Sequence, residues 1–181
     1  MNKLIIAIIV IILVMAGYWA YQLMAEKSSI EVSEQKLVVD PRNATYLIGN
    51  EEVALVNGRA EKEITSGSAS KTVTQYFGNE VKADFNGDGR EDIAVLLSQN
   101  SGGSGTFYYV VAVLSSEEGY RGTNAILLGD RIAPQTTEFR NEEIIVNYAD
   151  RNPGEPMTAS PSMGVSKYLK ISEGKLMEVQ K

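Results

Sequence analysis

Two patterns of apolar and polar positions divide the chain. The first is a run that stays apolar from Leu4 to Ala25 in "MNKLIIAIIVIILVMAGYWAYQLMA", broken by Gln22 and a few tolerated residues. About 20 helical residues span a hydrocarbon core of ~30 Å, so the run predicts a single N-terminal transmembrane helix. Tyr18, Trp19 and Tyr21 suit the membrane–water interface. A cleaved signal would carry a core of roughly 7–15 apolar residues and then a small-x-small site. Here the apolar character runs past that length, and Leu23 occupies the minus-three position of a cleavage after Ala25. The expectation is an uncleaved anchor.

The second pattern begins at Ala44. Short β-branched and aromatic runs recur: "TYLI", "EVALV", "AEKEI", "KTVTQY", "EVKADF", "DIAVLLS", "TFYYVVAVL", "NAILLG", "QTTEF", "EIIVNYA", "VSKYLKI" and "KLMEV". Clusters of Gly, Asn, Asp and Pro separate them, which is the signature of strands joined by tight turns. Asn57-Gly58 is the strongest hairpin signal. After Lys27 no stretch keeps a helical period. The fold class expected is therefore all-β, a mostly antiparallel meander or sandwich-like domain. The expected organisation is an anchor at 1–27, a polar linker at 28–43 and an extracytoplasmic β-domain at 44–181.

Charge sets orientation and excludes partners. Lys3 and the free amino group precede the apolar run, which places the N-terminus in the cytoplasm and the β-domain outside. The chain carries 17 Lys and Arg against 23 Asp and Glu; setting aside Lys3, Glu26 and Lys27 leaves 15 against 22, a net charge of −7 for 28–181. A surface of that sign repels nucleic acid. There is no cysteine, so neither disulfides nor a lipid-modified cysteine contributes. The absence of histidine and cysteine together excludes His-based triads, thiol nucleophiles and the usual zinc sites.

One stretch concentrates chemistry. "DFNGDGRED" places oxygen side chains at alternate positions, Asp84, Asn86 and Asp88, with Asp92 following and Gly89 at the sharp turn. Alternate spacing aims successive oxygens at one centre, as a hard cation with six to eight oxygen ligands requires. The backbone carbonyl of Arg90 would supply a further ligand. The bidentate glutamate of an EF-hand is missing, since Val95 stands at its position, and the flanks read as strands rather than helices. This D-x-N-x-D-G-x-x-D loop between strands resembles the calcium loops of the FG-GAP family, the repeats of integrin-type β-propellers, over Lys82 to Leu97. The resemblance implies Ca2+ held by Asp84, Asn86, Asp88, Arg90 and Asp92. One such loop and this length do not make a propeller of four or more blades, so the ion's expected role is structural. The wider pattern around this loop, with "LGDRIAPQTT" and "VNYADRNPGEPM" downstream, is similar to small membrane-anchored bacterial envelope proteins, which implies an address and no activity.

A simple up-down meander from Glu80 would collect a second set of polar residues at the end opposite this loop. Asn100, Asp130, Arg131, Asp150, Arg151 and Glu155 would meet there, beside "NSGGSG". Such loops could bind a polar or anionic partner, or each Asp and Arg could pin its own loop. Phe107 and Tyr109 alternate with Tyr108 on a strand and read as core. Ser68 and Lys71 have the Ser-x-x-Lys spacing of penicillin-binding enzymes, without that family's partner motifs. The reading that fits best is a membrane-anchored, non-catalytic calcium-binding module whose partner is another envelope protein or a glycan. The alternatives are an envelope hydrolase using carboxylates or the Ser–Lys pair, and an inhibitor- or chaperone-like domain presenting the 150–164 loop.

Overall fold

The computed structural model describes residues 11–22, 24 and 39–181. Residues 11–22 are helical. Among the described residues no helix is long and apolar enough to cross a membrane. Residues 1–10, 23 and 25–27 of the expected anchor and most of the expected linker, 28–38, lie outside the described residues. The transmembrane expectation therefore rests on sequence alone.

Val39–Lys181 forms one compact unit. It begins before the strand signals do: Pro41–Asn43 makes a 3-10 turn capped by Asp40, and the buried Tyr46 donates its hydroxyl to the Pro41 carbonyl at 2.8 Å. The end of the expected linker thus belongs to the domain, because a polar stretch can be held by hydrogen bonds that no hydrophobic period announces.

The unit is all-β. In chain order the strands are β1 (Thr45–Ile48), β2 (Glu51–Ala54), β3 (Arg59–Glu63), β4 (Lys71–Ala83), β5 (Asp92–Asn100), β6 (Phe107–Ser116), β7 (Gly119–Gly122), β8 (Ile126–Asp130), β9 (Ala133–Arg140), β10 (Glu143–Asp150), β11 (Met163–Ser172) and β12 (Lys175–Val179). They form a two-stranded sheet β1-β2, a four-stranded sheet β12-β11-β10-β9 and a six-stranded sheet β3-β4-β5-β6-β7, with β8 also paired to β6. All of these strand pairs are antiparallel.

The layering follows from the two longest apolar runs. Along β5 and β6, successive residues point to opposite faces, and both faces are buried. Ala94, Leu96, Val110, Ala112 and Leu114 pack against Ile144, Val146, Tyr148, Leu169 and Leu176 of the four-stranded sheet. Val95, Leu97, Val111 and Val113 pack against Tyr46, Ile48 and Leu55 around the β1-β2 hairpin. The six-stranded sheet is thus a middle layer with a core on each side, which is why its central strands read as continuous hydrophobic runs rather than alternations.

Several details depart from the sequence reading. "KTVTQY" and "EVKADF" are one strand, the 13-residue β4. The "YFGN" between them is a bulge, with Gly78 at φ 114 and Asn79 at φ 53 and a register shift on either side of Gly78; an extra residue in a ladder bends a strand without reversing it. "GYRG", read as part of a turn, is β7. Thr123 joins β7 to β8 along the same edge of β6: its backbone N–H donates to the Ala112 carbonyl, and its hydroxyl accepts from the Ala112 N–H at 3.0 Å. Asn57 and Gly58, at φ 52 and 82, make the expected tight turn, closed by reciprocal bonds between Val56 and Arg59.

Two asparagines close the seams between the large sheets. Asn79 Nδ2 on β4 donates to the Gln135 carbonyl on β9 at 3.3 Å. Asn124 accepts from the Leu176 N–H and donates to the Leu176 carbonyl, both at 2.9 Å, so its side-chain amide stands in for a strand at the edge of β12.

Candidate metal centre and adjoining cleft

The 84–91 loop is shaped by its own carboxylates. Asp84 Oδ1 accepts from the N–H groups of Gly87 (2.7 Å) and Asp88 (3.1 Å), and Oδ2 accepts from Gly89 (2.7 Å). These backbone bonds, led by Gly89, hold its pKa below the ordinary aspartate value. Asn86 Oδ1 accepts from the Asp88 N–H, and Asp88 Oδ1 from the Arg90 N–H. Gly87 and Gly89 sit at φ 78 and 82, which only a residue without Cβ adopts freely.

Asp92 anchors the loop to the core. It is fully buried at the start of β5, with Oδ2 accepting from the Phe85 N–H at 3.0 Å and Oδ1 from the Ser115 N–H at 2.8 Å. Burial pushes its pKa up, the two amide bonds oppose this, and the charges of Asp88 and Asp84 raise it further. A buried carboxylate is costly unless paired or well hydrogen-bonded; this one has two amides and two like-charged neighbours.

The donor set fits a hard cation in chemistry and in spacing along the chain, but it is not drawn together. Among the described residues no three acidic side chains converge as a metal cluster. Asp84 spends its oxygens on the loop backbone, Asp92 points to Phe85 and Ser115, and Asp88 Oδ2 lies 3.2 Å from Asn86 Nδ2 and 3.7 Å from Arg90 Nη1. The Arg90 side chain also pairs with Glu117 at 2.9 Å. Cation binding here requires Asp88 and Asn86 to turn inward.

At the opposite end the antiparallel pairing brings together the loops after β5, β8 and β10. Asp130 Oδ1 accepts from the Thr106 N–H at 2.8 Å and its Oδ2 pairs with Arg131 at 3.2 Å. Arg151 Nη1 donates to the carbonyls of Asp130 (3.3 Å) and Arg131 (3.1 Å), and its Nε to the Ala159 carbonyl at 2.8 Å. Asp150 caps the Arg151 N–H. Asn100 is turned into its own loop, donating to the Gly105 carbonyl at 2.6 Å. Glu155 bonds Asn152 within the next loop. Asp130, Arg131 and Arg151 therefore meet, whereas Asn100 and Glu155 do not join them, and these polar groups pin their own loops. The up-down order is as expected, but the chain changes sheets after β8, at Arg131 (φ 49).

The Ser68–Lys71 spacing makes no catalytic contact. Lys71 Nζ pairs with Glu61 at 2.9 Å, and that bond raises its pKa, the reverse of what a lysine base needs. Ser68 Oγ accepts from the Ser70 N–H. In the aromatic tract, Tyr108 packs toward the core between the two large sheets and Tyr109 toward the hairpin core, while Phe107 stays 38% exposed.

The sequence reading missed a cleft beside the 84–91 loop. It has a volume of about 610 Å³ and is walled by Asn86 and Asp88, by Ser115, Ser116 and Glu118 of the β6–β7 hairpin, by Tyr120 and Arg121, and by Gly174 of the β11–β12 turn. Three segments distant in sequence build it, so no local motif marks it. Comparisons with family models, with curated proteins and with solved structures each return no match to this chain.

Proposed function

We propose that the chain is a non-catalytic β-domain acting as a binding module, stabilised by calcium at the 84–92 loop and held at the outer face of a membrane by its apolar N-terminal run. The observation that supports the metal most directly is Asp92. It is a fully buried carboxylate whose pKa is raised by burial and by the nearby charges of Asp84 and Asp88. A divalent cation between these groups would supply the missing positive charge. The ligands would be Asp84, Asn86, Asp88, the Arg90 carbonyl and Asp92, as in the FG-GAP loops that the sequence resembles. The non-catalytic part of the reading rests on the lack of His and Cys and on Lys71 being paired with Glu61. The membrane part rests on the Leu4 to Ala25 run and on Lys3 before it.

Thermal unfolding of the full chain in detergent, with millimolar calcium and then with a chelator, tests the metal. A dissociation constant about 100-fold below the ambient calcium level adds roughly 2.7 kcal/mol. The expected result is a melting point several degrees higher with calcium, and no such rise in Asp88→Ala. Identical melting in calcium and chelator for the unmodified chain would sink the metal assignment and leave the loop an acidic turn.

A further inference from the structure

The cleft beside the loop has an unbalanced inventory of hydrogen-bonding groups. On the face of β6 that carries Leu114, the Ser116 hydroxyl donates to the Gly119 carbonyl at 3.1 Å. With its proton committed, it offers only lone pairs to the cleft. Asp88 and Glu118 are acceptors as well. Against these stands one cationic fork, Arg121. Among the described residues no carboxylate forms an ion pair with Arg121, whereas Arg90 nearby is paired with Glu117 at 2.9 Å. The guanidinium lies against Gly174: a Cβ there would stand 2.3 Å from Nη2, so the bare glycine gives it room.

A ligand that complements this wall carries several hydroxyl donors and one anionic acceptor. A planar carboxylate matches the guanidinium fork with two parallel bonds, and sugar hydroxyls match the serine and carboxylate oxygens. The volume of about 610 Å³ lies in the usual range for small-ligand sites, roughly 300–1,000 Å³. We infer that the cleft binds an acidic saccharide of the hexuronate class, with Arg121 on the carboxylate. This deepens the binding-module reading above and stands without calcium.

The test titrates the full chain in detergent with a glucuronate-containing disaccharide and with the same disaccharide carrying glucose in place of glucuronate. Calorimetry or amide chemical shifts read binding, in calcium and in chelator. The acidic sugar is expected to bind at least about tenfold more tightly than its neutral counterpart, a difference of ~1.4 kcal/mol. Arg121→Gln should abolish that preference, and Arg121→Lys should recover part of it. Arg121 is exposed, so neither variant should move the melting point, and an unchanged melt keeps a loss of binding attributable to the cleft. No binding of the acidic sugar, equal binding of both sugars, or full retention in Arg121→Gln would overturn the inference. So would tighter binding of a short peptide through its C-terminal carboxylate. Preference for the acidic sugar in chelator, in a chain whose melting ignores calcium, would keep this inference while the metal assignment falls. A calcium-dependent melt without sugar binding would keep the metal assignment while this inference falls.

Discussion

At the scale of single residues, two positions carry more than their size suggests. Gly122 closes β7 where β1 crosses: an added Cβ would lie 2.2 Å from the Thr45 carbonyl oxygen and 2.8 Å from Tyr46 Cδ1. Neither the backbone atom nor a ring in the hairpin core can step aside cheaply, and overpacking of this kind costs about 1–3 kcal/mol. Gly122→Ala is expected to fall at or above the top of that range in a denaturant titration. Gly164→Ala, with nothing within 4 Å of the new Cβ, should cost far less. Tyr46 is the second. It is 1% exposed and donates to Pro41, and its pKa is raised strongly, first by burial and then by Asp40. A phenol whose folded pKa exceeds its unfolded value of about 10 keeps its full contribution below pH ~10. That contribution is lost as the pH rises above 10 toward the folded value. Unfolding midpoints should therefore drop steeply above pH ~10. Tyr46→Phe should cost about 0.5–1.5 kcal/mol at neutral pH through the lost hydrogen bond, and should flatten the alkaline drop. The flattening will be partial, since Tyr76, Tyr109 and Tyr148 are raised too. An alkaline limb as steep in Tyr46→Phe as in the parent would refute its assignment to this phenol.

At the scale of elements, the seams decide how the sheets stay joined. Asn124 satisfies both the N–H and the C=O of Leu176, so Asn124→Ala leaves two strand-edge groups without their partner. Each such loss costs ~1–3 kcal/mol when the group stays dry, and less where water enters. The specific expectation is faster amide hydrogen exchange at Leu176, with Leu169 on the neighbouring strand little changed. Uniform acceleration across the sheet would mean that Asn124 contributes only to global stability. How much of this is legible in the sequence differs by element. β5 and β6 are plain, because "DIAVLL" and "YVVAVL" need burial on both faces. The Asn57-Gly58 turn is plain because positive φ at two successive positions selects those residues. The 78–79 bulge reads as a turn, since Gly-Asn supplies positive φ to either, and only the partner strand decides which forms. β7 escapes notice because "GYRG" has no apolar period; Thr123 and the β6 ladder hold it. The acidic 84–92 loop is visible as a pattern because its oxygens lie close together along the chain. The adjoining cleft is invisible because Ser116, Arg121 and Gly174 converge only through the pairing of β6 with β7 and the return of β11–β12.

At the scale of the whole domain, the consequence of the layering is cooperativity. The middle sheet presents Leu96 to the core it shares with the four-stranded sheet and Leu97 to the core under the β1-β2 hairpin. Both are fully buried, and they are adjacent on one strand. Removing three carbons from either leaves a cavity, and buried Leu→Ala changes cost about 2–5 kcal/mol. The two layers could nonetheless come apart separately, because the hairpin core is the smaller one. Two features argue against that. β1 is hydrogen-bonded to the middle sheet's edge through Leu47 with Thr123 and Ala125, and Tyr46 packs on Val95, Leu97, Val111 and Val113 in one cluster. Losing the hairpin would expose one whole face of β5 and β6, so the middle layer should not survive it. Leu96→Ala and Leu97→Ala are therefore expected to lower the melting point by similar amounts, each in a single transition. Far-ultraviolet circular dichroism follows all the sheets, and the assigned ring resonances of Tyr46, Tyr76 and Tyr120, read by nuclear magnetic resonance, give a tyrosine signal specific to the hairpin core that they surround. In both variants the two signals should be lost together. If Leu97→Ala instead loses its tyrosine signal well below the temperature at which the sheet signal falls, the hairpin is a separate cooperative unit, and the three layers do not fold as one.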